Sequence, residues 1–452
     1  MTVWLEAVNR AVWGAPLLLL LFFCGVILSL RTRFFQLRHT RTILKTLTGN
    51  KKSDGITPRQ SVACALAGTL GTGNIVGVAG AITLGGPGAV FWMWVCAIFS
   101  MIVKFAEIAL SVRYRERMRD GTYAGGTMYI IKNALPHRLQ FLGAIFATCG
   151  SIAAFGIGNL TQINTLSVGV MSMVRAVGVS STQTEVYIKL FTGVVCAVAL
   201  LAVLWSDAKI GAFCERLIPI ATLLYFVMTA GVILRYFYRL PQVFIDIFTA
   251  AFSPSAITGG AVGSAFIGLR FGMSRGIFSN EAGMGTAPIA YSCAEGSEAE
   301  LGLLGVFEVF VDTIVVCTLT ALSVLCVGGI VYGQDTGAAL ALSALSSVWG
   351  KGAVFAFAPS ICIFAFSSTV GWGLYGARFV TFLLGSGAKK PFLVLFCLTA
   401  VWGALFRADT VWLIAEILNG IMAIPNTIVL LLLSNDVADI AADFDRKKKS
   451  SD

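Results

Sequence analysis

The residues of this chain best suited to holding a small charged guest lie inside its most apolar stretches. Within 67–94, AGTLGTGNIVGVAGAITLGGPGAVFWMW, the residues Gly68, Gly71, Gly73, Gly77 and Gly80 interrupt a hydrophobic run, and Thr69, Thr72 and Asn74 stand among them. Each glycine weakens a helix interior by roughly 1 kcal/mol relative to alanine. Lipid tolerates unpaired backbone only where it lines a protein cavity. The spacing therefore predicts a membrane helix that breaks near its middle and releases backbone groups to a solute or ion. Free N–H groups at Gly71, Thr72, Gly73 and Asn74, at the start of the second half-helix, suit a carboxylate, because the positive end of the helix dipole points at it. Carbonyls ending the first half, near Ala67 and Leu70, suit a hard cation such as Na⁺, or an ammonium. The competing use is a small-residue face for close helix packing, with Thr72 back-bonded to its own helix and Asn74 bridging to a neighbour.

Other polar residues in apolar surroundings extend the set. Asn159 and Gln162 are three apart and share a helix face. An amide donates to a carboxylate or accepts from an ammonium, although an interhelical amide bond is an equally natural use. Ser367, Ser368 and Thr369 place three hydroxyls side by side, either as uncharged oxygen ligands or as helix glue contributing about 0.6 kcal/mol each. Gly263, Ser264, Phe266 and Gly268, in GGAVGSAFIG, form a second glycine-interrupted stretch. Phe266 there either limits pocket size or packs as an ordinary ring. Ionisable residues inside spans are functional suspects. Glu308 and Asp312, four apart, suit a proton relay or ion pairs with Arg270 or Arg275, the pairing being the preferred use. Lys104 and Glu107 are expected to pair with each other, and Asn280 and Glu281 to cap or gate a helix end. Glu416 has no assigned role, and His39 and His137, in basic loops, are expected to be solvated.

These residues need helices in lipid to position them. Of 452 residues, 57% are hydrophobic and 12% charged, and mean hydropathy is +0.84. That balance excludes an ordinary soluble surface and predicts an all-α polytopic membrane protein, a single domain over 1–452. Eleven spans are expected, near 15–30, 60–83, 89–112, 140–173, 187–205, 210–234, 257–288, 302–331, 353–384, 391–406 and 410–433. Segments 235–256 and 332–352 read as short amphipathic pieces. The net charge of +10 gathers in short loops, which explains it by membrane orientation rather than by nucleic acid. The 31–59 loop holds eight Lys or Arg, the 113–139 loop six and the RKKK tail four. This bias predicts the N-terminus outside and the tail from 434 in the cytoplasm, as in a bacterial inner membrane. No cleavable signal is expected at the N-terminus. The eleven cysteines are scattered singly, which argues against disulfides and transition-metal sites.

Setting aside the first span leaves ten, which divide into 60–234 and 257–433, each half opening on a glycine-interrupted helix. Paired interruptions at matching places point to an inverted-repeat transporter. GTGNIVGVAGAITLGGPGAVFWMWV resembles the signature of the alanine or glycine:cation symporters, often called sodium:alanine symporters. DGTYAGGTMYII, AAFGIGNLTQIN, GMSRGIFSNEAGMGTAPIA, VDTIVVCTLTAL and LNGIMAIPN extend the likeness across residues 13–434. One departure is Ser100, where the pattern usually has Gly, a matter of helix packing.

The resemblance implies a leucine-transporter-like 5+5 inverted repeat with one extra N-terminal helix, eleven transmembrane helices in all. It carries a sodium site, shared with the first broken helix, to Ser368 and Thr369 or the adjacent Ser367. It implies a symporter, not an enzyme, importing alanine or glycine by alternating access with Na⁺ as coupling ion. No organic cofactor and no obligate protein partner are expected; the partners are the amino acid and the bilayer. Proton coupling through Glu308 and Asp312 is the alternative. A channel lacks a visible charged ring or filter repeat. An intramembrane enzyme has no H-E-x-x-H, and no G-x-S-x-G with a membrane-facing His, to support it.

Overall fold

The first broken helix forms where its glycines predict. Residues 2–48, 57–118, 122–179, 181–252, 264–333, 337–405 and 409–450 are described by a computed structural model of the chain. Three helices come first: α1 (Thr2–Val12), α2 (Ala15–Arg31) and α3 (Thr40–Thr48). Thr57 then opens α4 (Pro58–Thr69) with a capping box, its side chain accepting from the Gln60 amide while Gln60 accepts from the Thr57 amide. Pro58 fills the first turn, where no N–H partner is needed. The helix stops at Leu70, whose backbone is extended (ψ 112°). The chain resumes as a wide π turn, Gly73–Gly77, and α5 (Val78–Gly85), bent by 52° from α4.

The long helix α6 (Gly88–Arg113) is apolar on all sides and largely buried, as a helix enclosed by others must be. Beyond the short hairpin of β1 (Glu116–Arg117) and β2 (Tyr123–Ala124) come α7 (Thr127–Ala134), α8 (Phe141–Ala153) and α9 (Thr161–Ala176). A π segment, Ala154–Leu160, joins α8 to α9. α10 (Thr182–Leu204) exposes Val186, Tyr187, Phe191, Val194 and Val198, an apolar face suited to lipid. α11 (Asp207–Arg235) and α12 (Leu240–Phe252) complete the first half.

Among the described residues, nine helical stretches are long and apolar enough to cross a membrane, and the bent α4–α5 pair makes a tenth. The remaining expected span, the seventh at 257–288, begins outside the described residues, where Gly263 also lies. Its described part consists of α13 (Ser264–Asn280) and α14 (Ala287–Ser292). The glycines at 259–263 lie outside the described residues; among those described, a break lies between these two helices. Glu281, Gly283 and Gly285 there have φ of 52°, 89° and 71°. A Cβ on Gly283 would stand 2.2 Å from Leu21, and one on Gly285 2.3 Å from Thr127. Ser264 and Phe266 lie in the first turn of α13. Gly268 sits within that helix, where a Cβ would come 3.1 Å from the Gly85 carbonyl. Small size at Gly268 serves close packing on the first broken helix and does not unwind α13.

The second half continues with α15 (Glu298–Val309), a π segment Phe310–Cys317, α16 (Thr318–Val327), α17 (Gly337–Trp349), α18 (Ala353–Leu384), α19 (Lys389–Leu405), α20 (Asp409–Leu432) and α21 (Ser434–Lys449). Several side-chain expectations change here. Lys104 and Glu308, both fully buried, form an ion pair of 3.2 Å between α6 and α15. Glu107 accepts instead from the Gly285 amide (2.9 Å) and from Asn426, because the unwound 281–286 backbone needs acceptors and α6 faces it. Asp312 pairs with neither Arg270 nor Arg275. His39 is buried between Phe35 and Phe444, with Nε2 2.8 Å from Asp445 of α21. Its burial follows from the tail folding back as a helix. His137 is exposed, as expected.

Two glycines separate packing from unwinding. A Cβ on Gly272 would lie 2.3 Å from the Ala89 carbonyl, whereas one on Gly80 meets nothing within 4 Å. Gly272→Ala should lower the thermal unfolding temperature of the detergent-solubilised protein by several degrees, since overpacking costs about 1–3 kcal/mol. Gly80→Ala should leave it unchanged or raise it.

Candidate functional site

The break in α4–α5 rests on an exchange of hydrogen-bond partners. The Gly71 amide donates to Oδ1 of Asn74 at 2.9 Å, not to the Ala67 carbonyl four residues back. The Ala67 carbonyl thereby loses its helical donor, and the neighbouring Gly68 carbonyl accepts from Ser368 Oγ of α18 at 3.3 Å. Leu70 keeps its amide on Leu66 and marks the last helical bond.

Around this point lies a small cavity of about 20 Å³, room for about one water. Gly71, Thr72 and Gly73 form one wall and Glu281, from the second break, faces them. Gln162, Ser368, Trp372, Ile157 and Phe278 close the sides. The two broken helices thus meet at one place. Gln162 Oε1 is buried with no hydrogen-bond partner among the described residues, an acceptor available to a guest. The Glu281 carboxylate accepts from Thr286 Oγ1 at 2.6 Å, leaving further acceptor capacity. The walls therefore combine helix-end amides, an amide side chain and a carboxylate, a set that matches a molecule carrying both charges.

Not every expected residue reaches this cavity. Asn74 does not line it: its Nδ2 donates to Asp312 Oδ1 (2.6 Å) and Ser279 Oγ (2.8 Å), and its carbonyl accepts from Thr320 (2.9 Å). Asn159 is turned outward, donating to the Phe396 carbonyl and to Thr399 of α19. Ser367 and Thr369 back-bond within α18 to Phe364 (3.0 Å) and Ala365 (2.9 Å), so Ser368 is the hydroxyl of the three that reaches the broken helix.

Glu281, Phe278, Trp372 and Asp312 emerge only from the fold as members or supports of the site. An acid beside glycines inside an apolar span, SNEAGMG, was the available signal for Glu281. Asp312 accepts from Asn74, Ser279 (2.9 Å) and Thr313 (2.8 Å) and has no cationic partner among the described residues.

The two sides of the cavity are closed differently. Phe278 separates it from a second cavity of about 140 Å³, bounded by Arg10, Trp13, Arg270, Arg275 and Glu416. There Arg275 lies 3.5 Å from Glu416, which also accepts from Asn9. On the opposite side, Ser61 of α4 donates to the Ala290 carbonyl of α14 (3.2 Å), both residues fully buried. Beyond it Arg115 donates to the carbonyls of Ser292 (3.0 Å) and Ala294 (2.7 Å) while lying over the Tyr123 ring. Burial there pulls the Arg115 guanidinium below its ordinary pKa.

The sequence profile of the sodium:alanine symporter family matches residues 1–452. The chain belongs to the sodium:alanine symporter family. The sodium/alanine symporter AgcS of Methanococcus maripaludis is 39% identical over 464 residues, covering 98% of this chain and 97% of the relative. YrbD of Bacillus subtilis, described as a putative sodium/proton-dependent alanine carrier protein, is 30% identical over 99% of this chain and 91% of its own. Among solved structures, MhsT in complex with L-phenylalanine superposes with a TM-score of 0.60 at 14% identity, over 85% of this chain and 90% of that one. The likeness to MhsT carries the leucine-transporter fold. The symporter is thus a non-enzymatic membrane carrier of amino acid and cation.

Asn159 and Gln162 share a helix and differ in task. Gln162→Ala should raise the KM for amino-acid uptake several-fold with the unfolding temperature unchanged. Asn159→Ala should instead lower that temperature through two lost interhelical bonds, each about 0.6 kcal/mol, with KM little altered.

Proposed function

We propose that the symporter imports a small neutral amino acid, alanine or glycine, together with Na⁺. The observation that carries this reading is the cavity where both broken helices end, which has the donors and acceptors for both charges of an amino acid and must widen to admit one. The amino-acid carboxylate meets the amides of Thr72 and Gly73, which sit at the start of a helix. Its ammonium faces Glu281, and Gln162 Oε1 accepts from it. The Gly71 amide is excluded as a donor because Asn74 holds it. Trp372 and Phe278 bound the wall that the amino-acid side chain meets once the cavity widens.

Na⁺ has two places where oxygens converge. One is the end of the first broken helix, where Ser368 of α18 reaches the Gly68 carbonyl. The other is Asp312 with Ser279 and Thr313. A buried carboxylate bonded only to neutral groups keeps a large desolvation penalty, which a bound cation offsets. An alkali ion favours such hard oxygen donors. In a −100 mV potential each entering Na⁺ supplies about 2.3 kcal/mol before its concentration gradient is counted. Alternating access opens the cavity past Phe278 and the Arg275–Glu416 pair on one side and past Ser61 and Ala290 on the other.

The names of AgcS and YrbD, a sodium/alanine symporter and a putative sodium/proton-dependent alanine carrier, support alanine and leave protons as the rival coupling ion. Against a relay through Glu308 stands its engagement by Lys104 and Tyr291.

In proteoliposomes, alanine uptake is expected to be electrogenic and to vanish when choline replaces Na⁺. Undiminished uptake in choline, driven by a pH gradient, would exclude sodium coupling. Asp312→Asn should raise the Na⁺ concentration for half-maximal uptake at least tenfold, and Ser368→Ala several-fold. Glu308→Gln should leave the Na⁺ requirement in place.

A further inference from the structure

A charged cavity remote from the transport site is unaccounted for by amino-acid carriage. α21 folds back against the end of α2, where Arg31 donates to Ser434 (2.8 Å) and Asn435. Tyr114, beyond α6, donates to Asp436 (2.7 Å). Between α21, the end of α2 and the turn leading to α3 lies a cavity of about 620 Å³. Arg31, Arg33, Arg38, Lys448 and Lys449 line it against Asp439 and Asp445. Asp445 is already engaged, 3.1 Å from Arg38 and 2.8 Å from His39. Burial holds the His39 imidazole below its ordinary pKa, so the positive excess comes from Arg and Lys. Arg33 and Lys449 form no ion pair among the described residues. Such a concave basic site is suited to a phosphate, which Arg binds with geometric fit and Lys as a point charge.

Two observations select the source of that phosphate. α2 is an apolar helix of 17 residues that ends at Arg31, so the cavity opens where the hydrocarbon layer gives way to headgroups. Beside it, Leu30, Phe34, Leu37 and Leu44 are exposed at 62%, 39%, 55% and 60%, an apolar shelf adjoining the basic walls. A soluble phosphate ester would use the walls alone. An anionic lipid uses the walls for its headgroup and the shelf for its acyl chains. We propose that this cavity binds the phosphate headgroup of an anionic membrane lipid, which bridges α21 to the turn between α2 and α3. The proposal is independent of which amino acid or ion the symporter carries.

Native mass spectrometry of the full-length protein, titrated with phosphatidylglycerol or with phosphatidylcholine of the same acyl chains, tests it. One phosphatidylglycerol should be retained under conditions that strip phosphatidylcholine. The double variant Arg33→Gln/Lys449→Gln should weaken that binding about 30-fold, roughly fivefold per basic residue at an anionic surface. Its unfolding temperature should stay unchanged, and Arg138→Gln/Lys351→Gln, remote from the cavity, should bind as the parent does. Equal retention of both lipids, or equal affinity in parent and variant, overturns the site. Displacement of phosphatidylglycerol by millimolar inorganic phosphate overturns the lipid assignment in favour of a soluble phosphate ester.

Discussion

One amide bears on everything else. In hydrocarbon the Gly71 N–H must have an acceptor, and the side chain of Asn74 supplies it in place of the helix. Asn74 can hold that position because Asp312 and Ser279 fix its other end and Thr320 binds its carbonyl. The bend in α4–α5 is therefore not a local consequence of glycine alone. It is a joint product of the first broken helix, the second broken helix and the π segment that carries Asp312. A site built this way is stiff at its base, where side chains saturate one another, and open at its lip, where Thr72 and Gly73 face the cavity.

The second break obeys the same rule with different parts. Three residues between Asn280 and Ala287 take left-handed backbone, so their polar groups leave the helix and must be met from outside. Glu107 accepts from Gly285, Asn426 donates to the Gly283 carbonyl (2.9 Å), and the Asn280 side chain accepts from Ala282 (3.0 Å). Glu107 belongs to α6, which also holds Lys104 against Glu308. Burying such a pair is expensive in free energy. Its structural return here is a fixed relation between α6, α15 and, through Tyr291 (3.1 Å from Glu308), the half-helix α14.

Glycine serves opposite ends within the second broken helix. Gly283 and Gly285 occupy backbone regions that a side chain would strain. Gly268 and Gly272 are ordinary helical residues kept small because the backbone of 85–89 lies against them. One side of the cavity is sealed by small buried residues around Ser61 and Ala290. The other side is held by a ring, Phe278, and a half-exposed ion pair.

The apolar spans and the glycine-broken helix at 67–77 were legible in the sequence, because each depends on composition or on local backbone preference; the symporter family was legible only through the resemblance of its motifs. Thr72, Gln162 and Ser368, which line the cavity, stand out in the sequence as polar groups in apolar runs, and Gly73 as an interruption of one. Their division of labour was not legible. Asn74 and Asn159 read equally as ligands or as interhelical bridges, and only the fold shows them bonded to neighbouring elements, since a donor's partner is chosen by whichever element packs opposite. Glu281 entered the site, and Glu107 and Lys104 parted company, only once α6 lay beside the unwound 281–286 segment. The break at 281–286 was not read from the sequence, because glycine content alone does not distinguish a helix that unwinds from one that, as at Gly268, needs a close neighbour. Local sequence determines where backbone hydrogen bonds are weak; only tertiary contact decides which groups replace them.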